Sequence, residues 1–187
     1  NRKIGNRRER IRRLEATIQT FKDMEADTKQ RYNISFVTGG MGKVYYDSST
    51  DDVVIDYTST ANFVHEITHI GQYRAGDIAF MRNSKKSYAV DLYDEVEAYK
   101  AQFAFDGVSV GALNASATSF KRITPEFVKV LKNKAGLRIY AGHGIIPIDI
   151  NATKADLIKA FPNAKKLDEL HESFVLKTVS NIIYFKK

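Results

Sequence analysis

The string His65-Glu66-Ile67-Thr68-His69 concentrates the reactive side chains of this sequence. Only 4 histidines occur in 187 residues, and two of them fall here, one helical turn apart. On a helix they project from the same face, and each can give a nitrogen to one zinc ion. Glu66 lies about 100° round that helix from His65 and roughly 60° from His69. It can therefore reach a water at the metal without ligating the metal itself. The chemistry this spacing supports is metal-assisted hydrolysis, with Glu66 as general base.

A catalytic zinc takes three protein ligands and keeps one position open. Position 75, where a compact H-E-x-x-H-x-x-G-x-x-H would place a third histidine, is Ala. Cysteine is absent, so thiolate ligation is excluded. The remaining histidines are His143, between two glycines, and His171, in an apparent helix and read as a surface residue. Residues 90–105 (VDLYDEVEAYKAQFAF) supply carboxylates on a second helix, whose bulky stripe is Leu92, Val96, Tyr99 and Phe103. Glu97 falls near Val90, Ala101 and Ala104, a small-residue face that lets another helix approach. Glu95 falls near Gln102 on what reads as a more solvated side. Glu97 is therefore the expected third ligand, with Glu95 in reserve. A donor for the oxyanion is also needed, and Tyr99, Tyr88, Tyr93 and His143 are candidates among which the sequence does not choose.

H-E-I-T-H-I-G-Q-Y followed by D-E-V-E-A-Y-K-A-Q resembles the gluzincin pattern of zinc metallopeptidases, two His on one helix and a Glu on a second. Glu97-Ala98-Tyr99 is similar to the acidic helix of lethal-factor-like toxin peptidases. The pairing also resembles metallopeptidase domains at the C-termini of large bacterial repeat-containing surface and toxin proteins. The resemblance covers residues 62–106, and the N-E-x-x-S-D string of thermolysin-type enzymes is missing. It implies a zincin-like α+β fold, a zinc ion, a peptide or protein substrate, and a secreted or cell-surface setting. The alternative is a metallopeptidase-like binding module without turnover, or a basic adaptor. The intact Glu66 speaks against a decayed site.

The surrounding elements must position these groups. Residues 60–73 read as the metal helix, with Thr58, Ser59 and Thr60 as N-cap hydroxyls and Gly71 and Gly76 at its end. Phe63, Val64, Ile67 and Ile70 share one side, leaving the histidine side free to face a cleft. Residues 6–30 read as a long helix with Ile11, Leu14, Ile18 and Phe21 as its seam. Strands are expected at 32–37 and 43–47 around Gly39-Gly40, and at 51–57. A short hairpin is expected from 78–81 and 87–90. Residues 107–120 read as a loop. Helices are expected from Thr124-Pro125-Glu126 to 134, from the Thr153/Asp156 capping box to 161, and over 167–174. Strands are expected at 137–140 and 179–185. The organisation read from this is a basic helix at 1–30 and a zincin-like domain at 31–187, with the metal core at 51–106.

Apolar residues make up 43% of the chain, enough for a core, and no 18-residue apolar run could span a membrane. The net charge is +7. Residues 1–13 hold seven Arg or Lys against Glu9 alone, so six of those seven charges are local to the N-terminal helix. A nucleic-acid-binding surface would spread its cations, so nucleic acid is not the expected partner. A solvated helical leader is the expectation for 1–13, with contact to an acidic partner as the other reading. The opening NRKIGNRRERIRR lacks an apolar core and an initiator Met, as expected of a piece of a longer protein.

Overall fold

A computed structural model describes residues 2–108, 110–162 and 182–185. The fold mixes five helices with three small sheets among these residues. In chain order the elements are α1 (Arg2–Glu25), β1 (Arg31–Phe36), β2 (Lys43–Asp47), β3 (Asp52–Tyr57), α2 (Thr60–Ala75), β4 (Ala79–Met81) and β5 (Ser87–Tyr88). There follow α3 (Leu92–Asp106), β6 (Val110–Ala112), β7 (Ala115–Ala117), a 3-10 turn (Phe120–Arg122), α4 (Pro125–Val130), α5 (Lys154–Ala160) and β8 (Ile182–Ile183).

The first sheet has the order β1-β3-β2. Val53, Val54 and Ile55 of β3 are all buried, as a central strand covered on both faces requires. The expected strands are present, but β1 and β2 do not pair with each other across Gly39-Gly40. β1 runs parallel to β3, and β2 pairs antiparallel with β3. The apolar side of α2 packs on this sheet: Ile67 and Ile70 join Val53, Ile55, Tyr46 and Phe80 in one core. Met24 of α1 is buried in that same core, and Phe21 packs against it. The basic N-terminal helix thus shares its core with α2, the helix that carries His65 and His69. Arg10 Nε donates to Ala104 O at 2.8 Å, and Arg13 Nη1 to Glu97 Oε2 at 2.8 Å, tying α1 to α3.

A second core forms where α3 meets α4 and its neighbours: Leu92, Val96, Tyr99 and Phe103 pack with Val128, Leu131 and Tyr140. The expected hairpin after α2 is present as β4 and β5, with β8 pairing on the other edge of β4. The capping box of α5 holds: Thr153 and Asp156 exchange hydrogen bonds, as the sequence indicates. Three expectations change. The 107–120 loop contains the hairpin β6–β7. Residues 137–140 make only an isolated bridge, Lys132 to Arg138, and α4 ends at Val130, where Leu131 turns to an extended conformation and is buried. The helix expected at 167–174, with His171, lies outside the described residues, as do residues 179–181 of the strand expected at 179–185, of which Ile182–Ile183 form β8. No helix of the described residues is long and apolar enough to cross a membrane.

If α1 is part of the core, Met24→Ala should destabilise the protein by ~2–4 kcal/mol, as for other buried methionines. Chemical denaturation followed by circular dichroism measures this. A loss well under ~1 kcal/mol would show that α1 contributes little to folding.

Candidate metal centre

Two helices supply the site. Ser59 caps α2 by accepting from Asn62 N, and Gly76 closes it in the left-handed region at φ 87. Between these caps α2 presents His65, Glu66 and His69, all buried. Helix α3 starts at a capping box of Asp91 and Asp94. One residue into the helix from Asp94, Glu95 turns its carboxylate toward α2.

The donor atoms converge. His65 Nε2 lies 3.4 Å from Glu95 Oε2, and His69 Nε2 lies 3.6 Å from Glu95 Oε1. The two Nε2 atoms are 3.3 Å apart. One donor atom from each of the three residues lies within 4.8 Å of the others, so this group could hold a metal ion. Glu95 Oε2 is buried yet makes no aligned hydrogen bond, and His65 Nδ1 is also buried and unbonded. A carboxylate oxygen left in this state is costly unless a cation completes it. Two imidazole nitrogens and one carboxylate are also a donor set that suits zinc.

The tautomer of His69 follows from its neighbours. Gln72 Nε2 donates to Asp94 O at 2.9 Å, which turns Gln72 Oε1 toward His69 Nδ1 at 2.7 Å. An oxygen there accepts, so Nδ1 carries the hydrogen and Nε2 is left to ligate. Glu66 is fixed in a similar way. Thr58 N donates to Asn62 Oδ1 at 2.9 Å, and Asn62 Nδ2 donates to Glu66 Oε1 at 2.9 Å. Gly42, ahead of β2, passes against this pair. A Cβ there would lie 2.6 Å from Glu66 Oε1 and closer still to Asn62, so only glycine leaves room for the base.

Burial and charge tune these groups. Burial raises the pKa of Glu66, which His65 and His69 only partly counter, so its carboxylate is a stronger base than usual. Burial opposes the charged form of His69, but Glu95 and Glu66 outweigh that and lift its pKa to about 9. Burial also works against the Glu95 carboxylate, yet His69, His143 and His65 hold it well below the ordinary value.

The wall beyond Glu95 carries the remaining polar groups. His143 Nε2 is 3.2 Å from Glu95 Oε1. Its loop is held by Gly144 N donating to Val90 O and Leu92 N donating to Gly144 O. The Tyr99 and Tyr140 hydroxyls are 2.8 Å apart, and the Tyr99 ring stands edge-on to His65 at 4.8 Å. Burial raises both phenol pKa values, so both remain protonated donors. These groups line a cleft of about 1250 Å³.

The carboxylate that joins the histidines is not the one expected. Glu97 does not face the histidines: its side chain is 46% exposed, paired with Arg13 and with Lys100. Its small-residue face does receive a helix, but that helix is α1, through Arg10 and Arg13. Glu95, held in reserve at first, is only 5% exposed and joins the histidines. His65, His69, Glu66, Tyr99 and His143 come together in the cleft, and Tyr88 lines it; Tyr93 is exposed and not part of the lining. Sequence reading missed Tyr140, Gln72, Asn62 and Gly42. Gln72 and Asn62 carried a usable signal, three residues after His69 and four before Glu66 on one helix; Tyr140 and Gly42 carried none. No family model, curated protein or solved structure matches this chain.

Two outcomes check this geometry. Glu95→Ala should weaken zinc binding by more than the 10–100-fold or so typical of losing an outer hydrogen-bond partner, while Glu97→Ala leaves it nearly unchanged; competition with a chromophoric chelator reads both. A ligating imidazole must be neutral, whereas His69 without metal is protonated up to pH about 9. Zinc uptake at pH 7 should therefore release a proton, and affinity should rise with pH until about 9. Calorimetry in buffers of different ionisation enthalpy measures the release, and zero release at pH 7 would contradict this charge state.

Proposed function

We propose that this chain is a zinc-dependent peptidase of zincin-like architecture. The observation that carries this reading is the arrangement of Glu66. It lies between the two histidines in sequence, belongs to none of the ligand contacts, and faces the same cleft. The small sheet packed on α2, with α3 bringing Glu95 from behind, supports the zincin-like comparison.

Zinc held by His65, His69 and Glu95 would supply a Lewis acid that makes a water more acidic and polarises a carbonyl. The chain provides the rest. Glu66, with its raised pKa, accepts a proton from the attacking water and hands it to the nitrogen of the leaving amine. Asn62 holds the Oε1 atom so that the other carboxylate oxygen is left for this transfer. Tyr140 and Tyr99 share one hydrogen bond between two hydroxyls, so one O–H remains to donate to an oxyanion. His143 donates through Nε2 to Glu95 Oε1, so on that wall it orients the carboxylate. The cleft holds a stretch of polypeptide more readily than a small metabolite, since its volume of about 1250 Å³ exceeds the usual small-ligand range. The resemblance in residues 62–106 favours an effector domain of a larger bacterial protein as the setting.

The competing reading is a binding module without turnover. Keeping Glu66 buried is costly, and its one side-chain hydrogen-bond partner among the described residues is Asn62. A module with no reaction to run would lose nothing by replacing it.

Glu66→Gln separates the two. It should keep zinc affinity nearly intact and lower cleavage of a peptide library by at least about 10²-fold. A variant that cleaves as fast as the parent would refute the mechanism.

A further inference from the structure

The charges that line the cleft fall into two groups. Among the described residues the acidic ones lining the cleft are Glu66 and Glu95, both buried on the floor. Every exposed charged side chain among the described lining residues is a cation: Lys43, Lys86, Lys129 and Arg138. They come from separate parts of the chain. Lys43 begins β2, and Lys86 stands at the turn between β4 and β5. Lys129 lies on α4, and Arg138 is two residues from Tyr140.

None of the four is in an ion pair among the described residues. Lys43 lies over the Tyr45 ring, 4.8 Å from Nζ to the centroid, and stands opposite Asp56 on β3 without an ion pair to it. Lys129 shares a helical turn with the exposed Glu126, so it is partly balanced. Lys86 and Arg138 face no carboxylate among the described residues. General basicity does not account for this concentration, because residues 14–187 together carry a net charge of only +1. A dication on the floor would be balanced by the Glu66 and Glu95 carboxylates. The field across the cleft would then be set by its four rim cations, and low-dielectric walls focus such a field.

We propose that the cleft selects peptide segments rich in aspartate or glutamate on either side of the bond it holds, through Lys43, Lys86, Arg138 and, more weakly, Lys129. This rests on the peptidase reading of the same cleft, and it names the substrate class. The rim cations act on encounter and register, so they discriminate among peptides without taking part in proton transfer. High salt weakens the preference, since the cations are exposed.

Binding can be measured without turnover. Zinc-loaded Glu66→Gln protein is titrated into fluorescein-labelled peptides of about ten residues, matched in length and differing in acidic, neutral or basic flanks. Fluorescence anisotropy should show the acidic set binding at least about tenfold tighter than the neutral set, with the difference collapsing at roughly 0.5 M salt. Lys86→Glu combined with Arg138→Glu, its fold checked by circular dichroism, should reverse the order and favour the basic set. Neutral or basic peptides binding as well as acidic ones, or an order unchanged in the double variant, would overturn the proposal. Cleavage by the unaltered zinc-loaded protein is followed in parallel. Acidic peptides that bind selectively but are never cleaved would uphold the charge selection and sink the peptidase reading instead.

Discussion

Glu95 carries a negative charge into the contact between α2 and α3, and the cost of holding it there organises the site. An isolated carboxylate in a buried position is expensive. Here two imidazoles face it at 3.4 and 3.6 Å, with His143 at 3.2 Å on the far side. Without metal, a proton on His69 offsets the charge, which is why its pKa is raised to about 9. A divalent ion would take over that role. The three donors only partly satisfy each other, since Glu95 Oε2 has no aligned hydrogen bond, and a cation would complete it and displace the proton. Because α2 is anchored in the first core, α3 in the second, and the two helices pack on each other, the donors are held in place by the fold itself.

The junction at the start of α3 links that pair to the opposite wall. Asp91 accepts from Tyr93 N and Asp94 N, which fixes where the helix begins, and from Ile148 N, which anchors the loop beyond His143. Leu92 N donates to Gly144 O, so Glu95 and His143 hang from one set of backbone bonds. Glu66 is set by an independent chain, Thr58 to Asn62 to Glu66, braced by the close passage of Gly42. Glu95, His143 and Glu66 are thus aligned by short hydrogen-bonded links at the starts of α3 and α2.

Much of this could be read from the sequence because helices are local. The His65/His69 spacing, the Ser59 cap and the Gly76 stop each depend on residues within a turn or two, and each is found where the pattern indicates. The β1–β3 parallel pairing, by contrast, joins Arg31–Phe36 to Asp52–Tyr57 with β2 lying between them in sequence, a long-range match that no local pattern specifies. The choice between Glu95 and Glu97 failed for a related reason. Small neighbours on α3 do mark a face that another helix approaches, but they do not say which helix. Three helices, α1, α2 and α4, contact α3, and the Ala101–Ala104 side belongs to α1. The better guide was Tyr99, four residues after Glu95 and hence on the same face, with its ring against His65. Tyr140 was beyond reach, since an irregular segment has no periodicity to place a side chain.

The account depends on one coordination set, and a crystal structure of the zinc-loaded protein with anomalous scattering at the zinc edge tests it directly. The expected result is one zinc per chain at bonding distance from His65 Nε2, His69 Nε2 and the Glu95 carboxylate, about 2.0–2.2 Å, with one position left open toward the cleft. Zinc bound through Glu97, or no zinc between α2 and α3, would contradict it.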